Sequence, residues 1–216
     1  MQVEIYSDVV CPWCYIGERR FAKALQSFTG RDDVDVVFRP YQLDPDAPST
    51  PAPLIESPRT KFGANVRAML DRVSAAAAGE GIDVRWDEAV AVNTITAHRL
   101  LRLAEREYGA AVQRTLAERL FDAHFTRGGN VADPGLLTTL AVASGMERDR
   151  VGQYLASSEG LAETREAIAQ ARAMGIRAVP SFVFDGQYLV EGGQAPETFL
   201  AALEQVASRA GEEASA

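Results

Sequence analysis

The chain has few of the features that would place it in a membrane or on a nucleic acid. Its 216 residues contain no apolar run of about 20 residues, the length that a transmembrane helix requires. Lysine occurs only as Lys23 and Lys61, and 22 basic side chains face 30 acidic ones, which gives a net charge of −8. A chain this acidic has no positive field to hold a phosphate backbone. We therefore expect neither a nucleic-acid partner nor membrane association.

Cysteine is also scarce, and this scarcity excludes a fold that is held together by disulfides. Cys11 and Cys14 are the only two cysteines, and a bond between them would close a loop too short to remove much chain entropy. The first residues show neither the basic segment nor the apolar run of a secretory signal, which predicts a cytoplasmic location. In a reducing compartment, a cysteine pair more often performs chemistry or binds a metal than supports a fold.

A zinc site is one alternative for this pair, but the spacing of the other ligands argues against it. The two histidines, His98 and His124, are far apart, whereas histidines in such sites are typically three to five residues from each other. The chain also lacks a second Cys-x-x-Cys pair. We expect both histidines to occupy surface or capping positions of helices, and we expect no metal.

The pattern of apolar residues predicts α/β units at both ends of the chain. Such a β-α-β unit at the N-terminus favours a parallel pair of strands. At the C-terminus, Asp185 and Gly186 form a turn dipeptide that suits a hairpin. The predicted elements are a strand at 3–7, a helix after Cys14 that Gly30 ends, strands at 34–38, 179–184 and 188–190, and a final helix from Pro196.

The middle of the chain has a different pattern. Five prolines between positions 45 and 58 remove amide donors and predict an ordered loop that leaves the α/β domain. From Lys61 to about Gly175 the pattern is almost entirely helical. Asp133 is expected to cap a helix that begins at Pro134, and Ser158 to cap a last helix at 159–174. That last helix leads directly into the next strand, so it belongs to the second α/β half.

The Cys11-Pro12-Trp13-Cys14 segment lies between a predicted strand and a predicted helix, which is the position that thiol–disulfide exchange requires. The N–H groups and the partial positive charge at a helix N-terminus stabilise a thiolate, so we expect Cys11 to be the nucleophile with a lowered pKa. Cys14 lies one turn further on and can resolve a mixed disulfide. Pro12 stiffens the turn, and Trp13 covers the thiols or offers an apolar surface. Asp8 is expected to be solvated or to cap a turn, and no buried acidic partner is assigned to Cys14.

A second signal is Val179-Pro180, directly before a predicted strand. Taken alone, it indicates a trans proline at a strand start. Together with the upstream cysteine pair, the chain resembles the thioredoxin superfamily, and more narrowly the DsbA-like thiol oxidoreductases of the FrnE type. The resemblance covers about residues 3–208. The segments that carry it are residues 7–17, Asn93-Thr94, Ala97-His98-Arg99-Leu100, residues 175–182 and Glu191-Gly192-Gly193-Gln194.

This resemblance implies an α/β thioredoxin-like fold with an inserted all-helical domain. The discontinuous thioredoxin-like domain would comprise 1–58 and 159–216, and the insertion 59–158. It also implies a cis Val179–Pro180 bond that faces the cysteines and a backbone there that pairs with a substrate segment.

The expected partners are protein or small-molecule thiols and disulfides. We expect no cofactor beyond glutathione as a redox partner, and a monomer or a homodimer. Because Trp13 stands where the periplasmic DsbA pattern has His, strong oxidising power is not implied.

Two other functions stay open at this point. The 2-hydroxychromene-2-carboxylate isomerases and the kappa-class glutathione transferases resemble the same architecture, but they typically carry Ser at the position of Cys11. In such an enzyme, Asn93 and His98 would help to build a substrate pocket between the domains. The third function is a holdase, in which Trp13, Tyr15 and Phe182 would form an apolar surface. We expect the aromatic side chains to pack in the core instead.

Overall fold

The computed structural model describes residues 1–54 and 66–213, which contain six strands, eight α-helices and a short 3-10 helix at Arg31–Asp33. The strands are β1 (Gln2–Ser7), β2 (Asp35–Pro40), β3 (Ala52–Pro53), β4 (Val90–Ala91), β5 (Ser181–Phe184) and β6 (Tyr188–Glu191). The helices are α1 (Pro12–Ser27), α2 (Val66–Ala78), α3 (Ile95–Tyr108), α4 (Ala110–Arg127), α5 (Pro134–Ala143), α6 (Arg148–Ala156), α7 (Leu161–Ala173) and α8 (Pro196–Glu213).

The central sheet has four strands in the order β2-β1-β5-β6. β1 and β2 are parallel, with Ile5 beside Phe38, as the predicted β-α-β unit requires. β5 runs antiparallel to β1 and places Phe182 on the other side of Ile5, and β6 completes a hairpin with β5 at the edge. This arrangement, with a long helical segment inserted between β2 and β5, is the predicted α/β thioredoxin-like fold.

The two faces of the sheet bury different side chains because successive residues of a strand point to opposite sides. On one face, Phe182 packs against Phe21 of α1 and Phe199 of α8, with ring centroids 5.4 Å and 4.5 Å away. On the other face, Tyr6 of β1 packs with Ala171 and Ile176, at the end of α7 and just beyond it. Helices therefore cover both faces of the strands that lead to the cysteines.

The inserted helices are joined to the sheet by buried polar contacts as well as by apolar packing. The side chain of Gln113 on α4 accepts a hydrogen bond from the Phe38 amide and donates one to the Phe38 carbonyl, at 2.8 Å and 2.9 Å. One continuous cluster of buried apolar side chains includes residues of both the sheet and the insertion. The domain boundaries at 58/59 and 158/159 remain a prediction.

Several local predictions can be compared with the structure. Asp133 caps α5, since its Oδ2 accepts the Leu136 amide at 2.8 Å. The prediction that Ser158 caps a helix at 159–174 is wrong: α7 begins at Leu161, and Gly160 is its N-cap with a φ of 73°, a conformation that glycine adopts without strain. α1 ends at Ser27, before Gly30. Predictions for 55–65, including Pro58 and Lys61, lie outside the described residues.

The segment between β2 and β5 also contains two strands of only two residues each. β3, in the proline-rich loop, pairs antiparallel with β4, so that Ala52 lies beside Ala91. Two residues are too few to show a period-2 pattern, which explains why the sequence did not indicate them. Within the part of the chain that the structure describes, no helix is both long enough and apolar enough to cross a membrane.

Candidate active site

The cysteine pair lies where β1 turns into α1. The Cys11 amide donates to the Asp8 carbonyl at 2.9 Å, and this turn places Cys11 at the N-cap of α1 with Pro12 in the first turn. The Cys11 carbonyl accepts the amides of Cys14 and Tyr15 at 3.0 Å and 3.3 Å, so the helix begins directly after Cys11. Residues 12–15 include no acidic side chain. The Cys11 sulfur therefore lies at the positive end of the helix dipole.

The structure brings Cys11 together with the predicted Val179-Pro180 segment. The Sγ atom of Cys11 lies 3.7 Å from the Val179 carbonyl oxygen, within reach of a weak S–H hydrogen bond. The Val179–Pro180 peptide bond is cis, and β5 begins at the next residue. Pro180 is buried, and its carbonyl accepts the Gly192 amide at 2.8 Å. Val179 is half-buried, at the border between the sheet and the cysteine loop.

Cys14 lies beneath Cys11 and is fully enclosed. Burial raises the pKa of the Cys14 thiol well above its usual value, because a thiolate loses its hydration in the interior. The neighbouring Cys11 thiol raises this pKa further, while the backbone of Asp8 and the side chain of Ser7 lower it. Both cysteines are buried, but only Cys11 borders the groove described below.

The expectation that Asp8 is solvated or caps a turn is wrong. Its side chain is buried, and its Oδ2 accepts the Leu43 amide at 2.8 Å. Its Oδ1 lies 3.2 Å from Nε2 of His98, which is equally buried on α3. A buried carboxylate requires such partners. Sequence reasoning missed this pair because its members are 90 positions apart. The only signal was that both lie in the segments that carry the family resemblance.

The expectation of surface or capping histidines is therefore wrong for His98, and it is also wrong for His124. His124 is completely buried on α4, and its Nδ1 lies 3.4 Å from the Gly129 carbonyl oxygen. Its Nε2 has no hydrogen-bond partner among the described residues. In the same part of the chain, no group of three or more His, Cys, Asp or Glu side chains is arranged to hold a metal ion.

An apolar groove of about 430 Å³ opens beside Cys11. Its lining includes Cys11, Pro12, Trp13 and Val179 at the cysteine loop and Met69 of α2. The remaining lining residues come from the segment before the cysteines, from α2, from the 43–54 loop and from the region of β4, and they are Val10, Leu70, Val73, Leu43, Asp44, Ala47, Leu54, Trp86, Ala91 and Val92. Because the lining is mostly apolar, the groove suits an apolar group attached to a sulfur that Cys11 can reach.

The aromatic residues that could have formed a holdase surface divide between groove and core. Trp13 is 38% exposed in the groove. Tyr15 is buried and stacks on Phe121, with ring centroids 5.3 Å apart, and Phe182 is fully buried against α1 and α8. The expected core packing is thus confirmed for two of the three.

The pocket residues expected for an isomerase do not border this groove. His98 points to Asp8, and the Asn93 side chain donates to the Pro45 carbonyl at 2.9 Å. Asn93 instead borders a separate cavity of about 230 Å³, with Arg165 and Arg172 on its other side.

A pair of cysteines at the start of the first helix, opposite a cis proline that precedes an antiparallel strand, defines a thioredoxin-fold dithiol protein. The comparison with protein families is more specific. Residues 2–204 match the model of the DSBA-like thioredoxin domain, and the chain therefore belongs to that family of thiol–disulfide oxidoreductases.

Solved structures agree with this assignment. A probable DsbA oxidoreductase from Streptomyces coelicolor is 36% identical, with a TM-score of 0.86 over 95% of this chain and 89% of that one. The cytosolic disulfide reductase DsbM from Pseudomonas aeruginosa, solved with GSH, is 19% identical, with a TM-score of 0.67 over 96% and 100%. A 2-hydroxychromene-2-carboxylate isomerase is 16% identical, with a TM-score of 0.66 over 100% and 98%. The last two show a shared fold.

Proposed function

We propose that the protein is a thiol–disulfide oxidoreductase in which Cys11 is the nucleophile and Cys14 the resolving thiol. The observation that carries this proposal is the position of the Cys11 sulfur, at the N-terminus of α1, beside an open groove and with a second thiol one helical turn behind it. A metal site or a structural disulfide would not require a thiol at a helix N-terminus beside an open groove, whereas thiol–disulfide exchange does.

The exchange takes place in two displacements. The Cys11 thiolate attacks one sulfur of a substrate disulfide, which forms a mixed disulfide and releases the first substrate thiolate. Cys14 then loses its proton and attacks the Cys11 sulfur, so that the Cys11–Cys14 disulfide forms and the second substrate thiolate leaves. Two electrons pass from the protein to the substrate, and both substrate thiolates take up protons. The reverse sequence oxidises a substrate dithiol.

The residues around Cys11 would hold the substrate in place. Pro12 fixes the first turn of α1, and the backbone of Val179 beside the cis Pro180 can pair with an extended substrate segment. Trp13 would contact apolar groups of that substrate in the groove. We propose protein or small-molecule thiols and disulfides as partners and glutathione as the redox partner, with no other cofactor. The GSH complex and the cytosolic location named for DsbM support this view and a cytoplasmic site of action.

Equilibration with defined mixtures of reduced and oxidised glutathione tests the proposal. After alkylation, mass spectrometry counts the free thiols. We expect a reversible two-electron couple, roughly between −120 and −270 mV, the range of dithiol oxidoreductases. Cys11→Ser should abolish exchange, whereas Cys14→Ser should retain one glutathione on Cys11. Full turnover by Cys11→Ser would contradict the proposal.

One observation favours a second function, a glutathione-dependent isomerase or transferase. The groove can hold a small molecule next to Cys11, and an isomerase shares the fold. Such an enzyme needs no second thiol. If Cys14→Ser retains glutathione-dependent isomerisation of a 2-hydroxychromene-2-carboxylate, and no Cys11–Cys14 couple forms, this second function replaces the first.

A further inference from the structure

The loop at 43–50 forms part of the groove wall, but its own main chain does little to hold it. It lies between β2 and β3 and has no regular structure. It contributes Leu43, Asp44 and Ala47 to the lining of the groove. Pro45 and Pro48 have no N–H donor. Within the loop, the Ala47 amide donates to the Asp44 carbonyl at 3.2 Å. The other carbonyls of the loop therefore need donors from elsewhere in the chain.

Asn93, which lies between β4 and α3, supplies these donors. Its main-chain N–H donates to the Pro48 carbonyl at 2.9 Å. Its side-chain Nδ2 donates to the Pro45 carbonyl at 2.9 Å and lies 3.4 Å from the Ala47 carbonyl oxygen. Three carbonyls of the loop thus meet at one residue.

The orientation of the Asn93 amide is fixed by the contacts of its oxygen. Oδ1 accepts the Ile95 amide at 3.0 Å and Nε2 of the buried Gln42 at 3.1 Å. A main-chain N–H can only donate, so the Ile95 contact identifies the oxygen and leaves Nδ2 directed at the loop. The amide therefore connects the loop to the beginning of α3 and to the protein interior.

Two other contacts hold the ends of the loop. At one end, the Leu43 amide donates to Oδ2 of Asp8 at 2.8 Å. Beyond the other end, β3 pairs with β4. Asn93 holds the middle, and the two residues before it, Ala91 and Val92, line the groove themselves. The Asn93 contacts therefore join two segments of the same wall.

We propose that Asn93 determines which substrates the groove accepts, because it holds the middle of the 43–50 loop in the position that forms this wall. The favoured substrates are disulfides with a large apolar group next to the reacting sulfur. This inference rests on the proposed function and deepens it, since it concerns the substrate that reaches Cys11. Asn93 does not border the groove and acts through the loop, so it is a positioning residue.

The physical reason is the cost of ordering a loop when a substrate binds. A wall that is already held in place can contact an apolar group without losing further conformational freedom. A loop released from Asn93 would have to be ordered by the substrate, and this cost lowers the affinity for substrates that touch the wall. Substrates with small side chains make few contacts there and avoid the cost. The Leu43–Asp8 contact is independent of the Asn93 side chain, so we expect the cysteine loop to keep its structure.

Two substitutions remove the side-chain contact with the loop and retain the contact with α3. In Asn93→Asp, a carboxylate oxygen can still accept the Ile95 amide, but no donor is left for the Pro45 carbonyl. Asn93→Ser removes the amide without adding a charge, and its hydroxyl oxygen can accept the Ile95 amide. The main-chain contact with Pro48 remains in both variants. Agreement between the two excludes an effect of the added charge.

Asn130 provides the matched control. Its Oδ1 accepts the Ala132 amide at 3.0 Å, the same distance as between Asn93 and Ile95. It is half-buried like Asn93, lies between α4 and α5, and does not line the groove. Asn130→Asp and Asn130→Ser therefore make the same chemical changes at a different place. If Asn93→Asp does not fold, Asn93→Ser and Asn130→Ser provide the comparison.

Hydrogen–deuterium exchange with mass spectrometry measures whether Asn93 holds the loop. We expect the amides of residues 43–54 to exchange about tenfold faster in both Asn93 variants than in the native protein, because the loop opens more often. Exchange in α1 should be unchanged, and both Asn130 variants should exchange at the native rate in 43–54. Native exchange of 43–54 in the Asn93 variants overturns the inference.

Reduction of two disulfide peptides, with glutathione as the source of electrons, measures the effect on substrate choice. One peptide has Phe on both sides of its disulfide-bonded cysteine, and the other has Gly and Ser. The Asn93 variants should raise the KM for the Phe peptide by about fivefold, with kcat within about twofold and with the KM for the Gly-Ser peptide changed less than about twofold. A purely structural role would lower kcat for both peptides alike. Equal effects on the two peptides, or an unchanged KM for the Phe peptide, overturn the inference.

Ellman's reagent, a small aromatic disulfide, separates this inference from the proposed function. The reduced native protein should release two thionitrobenzoates as the Cys11–Cys14 disulfide forms, and Cys14→Ser should release one. A native protein that forms no such disulfide contradicts the proposed function, and the selectivity assigned to Asn93 fails with it. A native protein that forms the disulfide, while the Asn93 variants keep the native preference between the peptides, contradicts only the role of Asn93.

Discussion

Gly17 of α1 packs directly on Pro180, the cis proline opposite the cysteines. A Cβ atom at Gly17 would lie 3.0 Å from the Pro180 Cγ and 3.2 Å from the Gly193 Cα. Gly193 is equally crowded, since a Cβ there would lie 3.2 Å from the Trp13 carbonyl oxygen. Two glycines therefore allow α1 to approach the cis proline and the loop after β6, and this approach places Cys11 beside Val179.

Gly17→Ala should destabilise the protein by roughly 1–3 kcal/mol, the usual effect of overpacking a core, because the backbone at Gly193 must move to admit the methyl group. It should also lower the rate at which Cys11 reacts with a disulfide, since Pro180 and Val179 would shift. Urea unfolding measures the first effect, and the rate at which the Cys11 thiol of the reduced protein reacts with Ellman's reagent measures the second.

Gly152→Ala provides the control for this substitution. Gly152 lies on an exposed position of helix α6, and apart from its chain neighbours and the backbone of its own helix no atom of the described residues comes within 4 Å of a Cβ placed there. An alanine at this position should stabilise the helix by about 0.5–1 kcal/mol. Equal effects of the two substitutions would contradict the close-packing argument.

The fold could be predicted from the sequence to the extent that short-range rules determine it. Period-2 and helical patterns indicated β1, α1 and β2, and the Asp185-Gly186 dipeptide indicated the hairpin of β5 and β6. The position of the cysteine pair between a predicted strand and a predicted helix indicated the active site from the sequence alone. Family resemblance then indicated Val179 and Pro180, although Val179 is 168 positions from Cys11.

The polar interior of the site could not be predicted in the same way. Asp8 and His98 meet only because α3 packs under the cysteine loop, and no local pattern encodes that contact. Aspartate is rarely buried unless it is paired, and histidine is intermediate in burial, so composition alone did not indicate the observed arrangement. The same holds for His124. The need for glycine at positions 17 and 193 could not be predicted either, because it arises from a close approach between segments that are distant in sequence.

Glu18, a buried residue of α1, should make stability decrease as the pH rises. Burial raises the pKa of Glu18 to about 7, and Glu118 adds to this rise, while Arg114 and Arg19 oppose it. Between the ordinary pKa of about 4.3 and this value, the folded protein holds a proton that the unfolded chain has released. The folded state is therefore favoured at low pH, and this advantage is lost as the pH rises to about 7.

Glu18→Gln should remove this dependence. The variant should gain roughly 2 kcal/mol in free energy of unfolding relative to the native protein between pH 5 and pH 8, since each pKa unit is worth about 1.4 kcal/mol. Urea unfolding at several pH values measures the difference. Glu163→Gln, on an exposed part of α7, controls for the loss of a carboxylate. A stability difference that does not vary with pH would contradict the prediction.

His124 should have the opposite effect, on the acid side. Burial lowers the pKa of His124 to about 4, and the Gly129 carbonyl and Asp8 only partly oppose this. Between pH 6.5 and about 4, the unfolded chain binds a proton at this histidine and the folded protein does not. Stability is therefore complete above the unfolded pKa and is lost as the pH falls through this interval.

His124→Leu should make the protein more resistant to acid relative to its stability at neutral pH. Between pH 6.5 and pH 4, the native protein should lose roughly 3 kcal/mol more than the variant. Thr164→Val is a matched control, because it replaces another buried polar side chain with an apolar one and removes no ionisable group. Parallel stability curves for native protein and His124→Leu would show that His124 does not titrate in this way.

Trp13 should determine affinity for substrates with apolar side chains next to the disulfide. It is 38% exposed in the free protein and lines the groove beside Cys11, so an apolar group bound there would cover it. Truncation of a central tryptophan often costs 2 kcal/mol or more in binding. Trp13→Ala should therefore raise the KM for a disulfide peptide flanked by Leu or Phe by about tenfold or more, with kcat little changed. The KM for a peptide flanked by Ser and Gly should change less than threefold.

Leu189→Ala is the control for Trp13→Ala. It removes a 49% exposed apolar side chain on β6 outside the groove, and it should leave both KM values unchanged. Equal losses for the two peptides would mean that Trp13 supports the cysteine loop and does not contact the substrate.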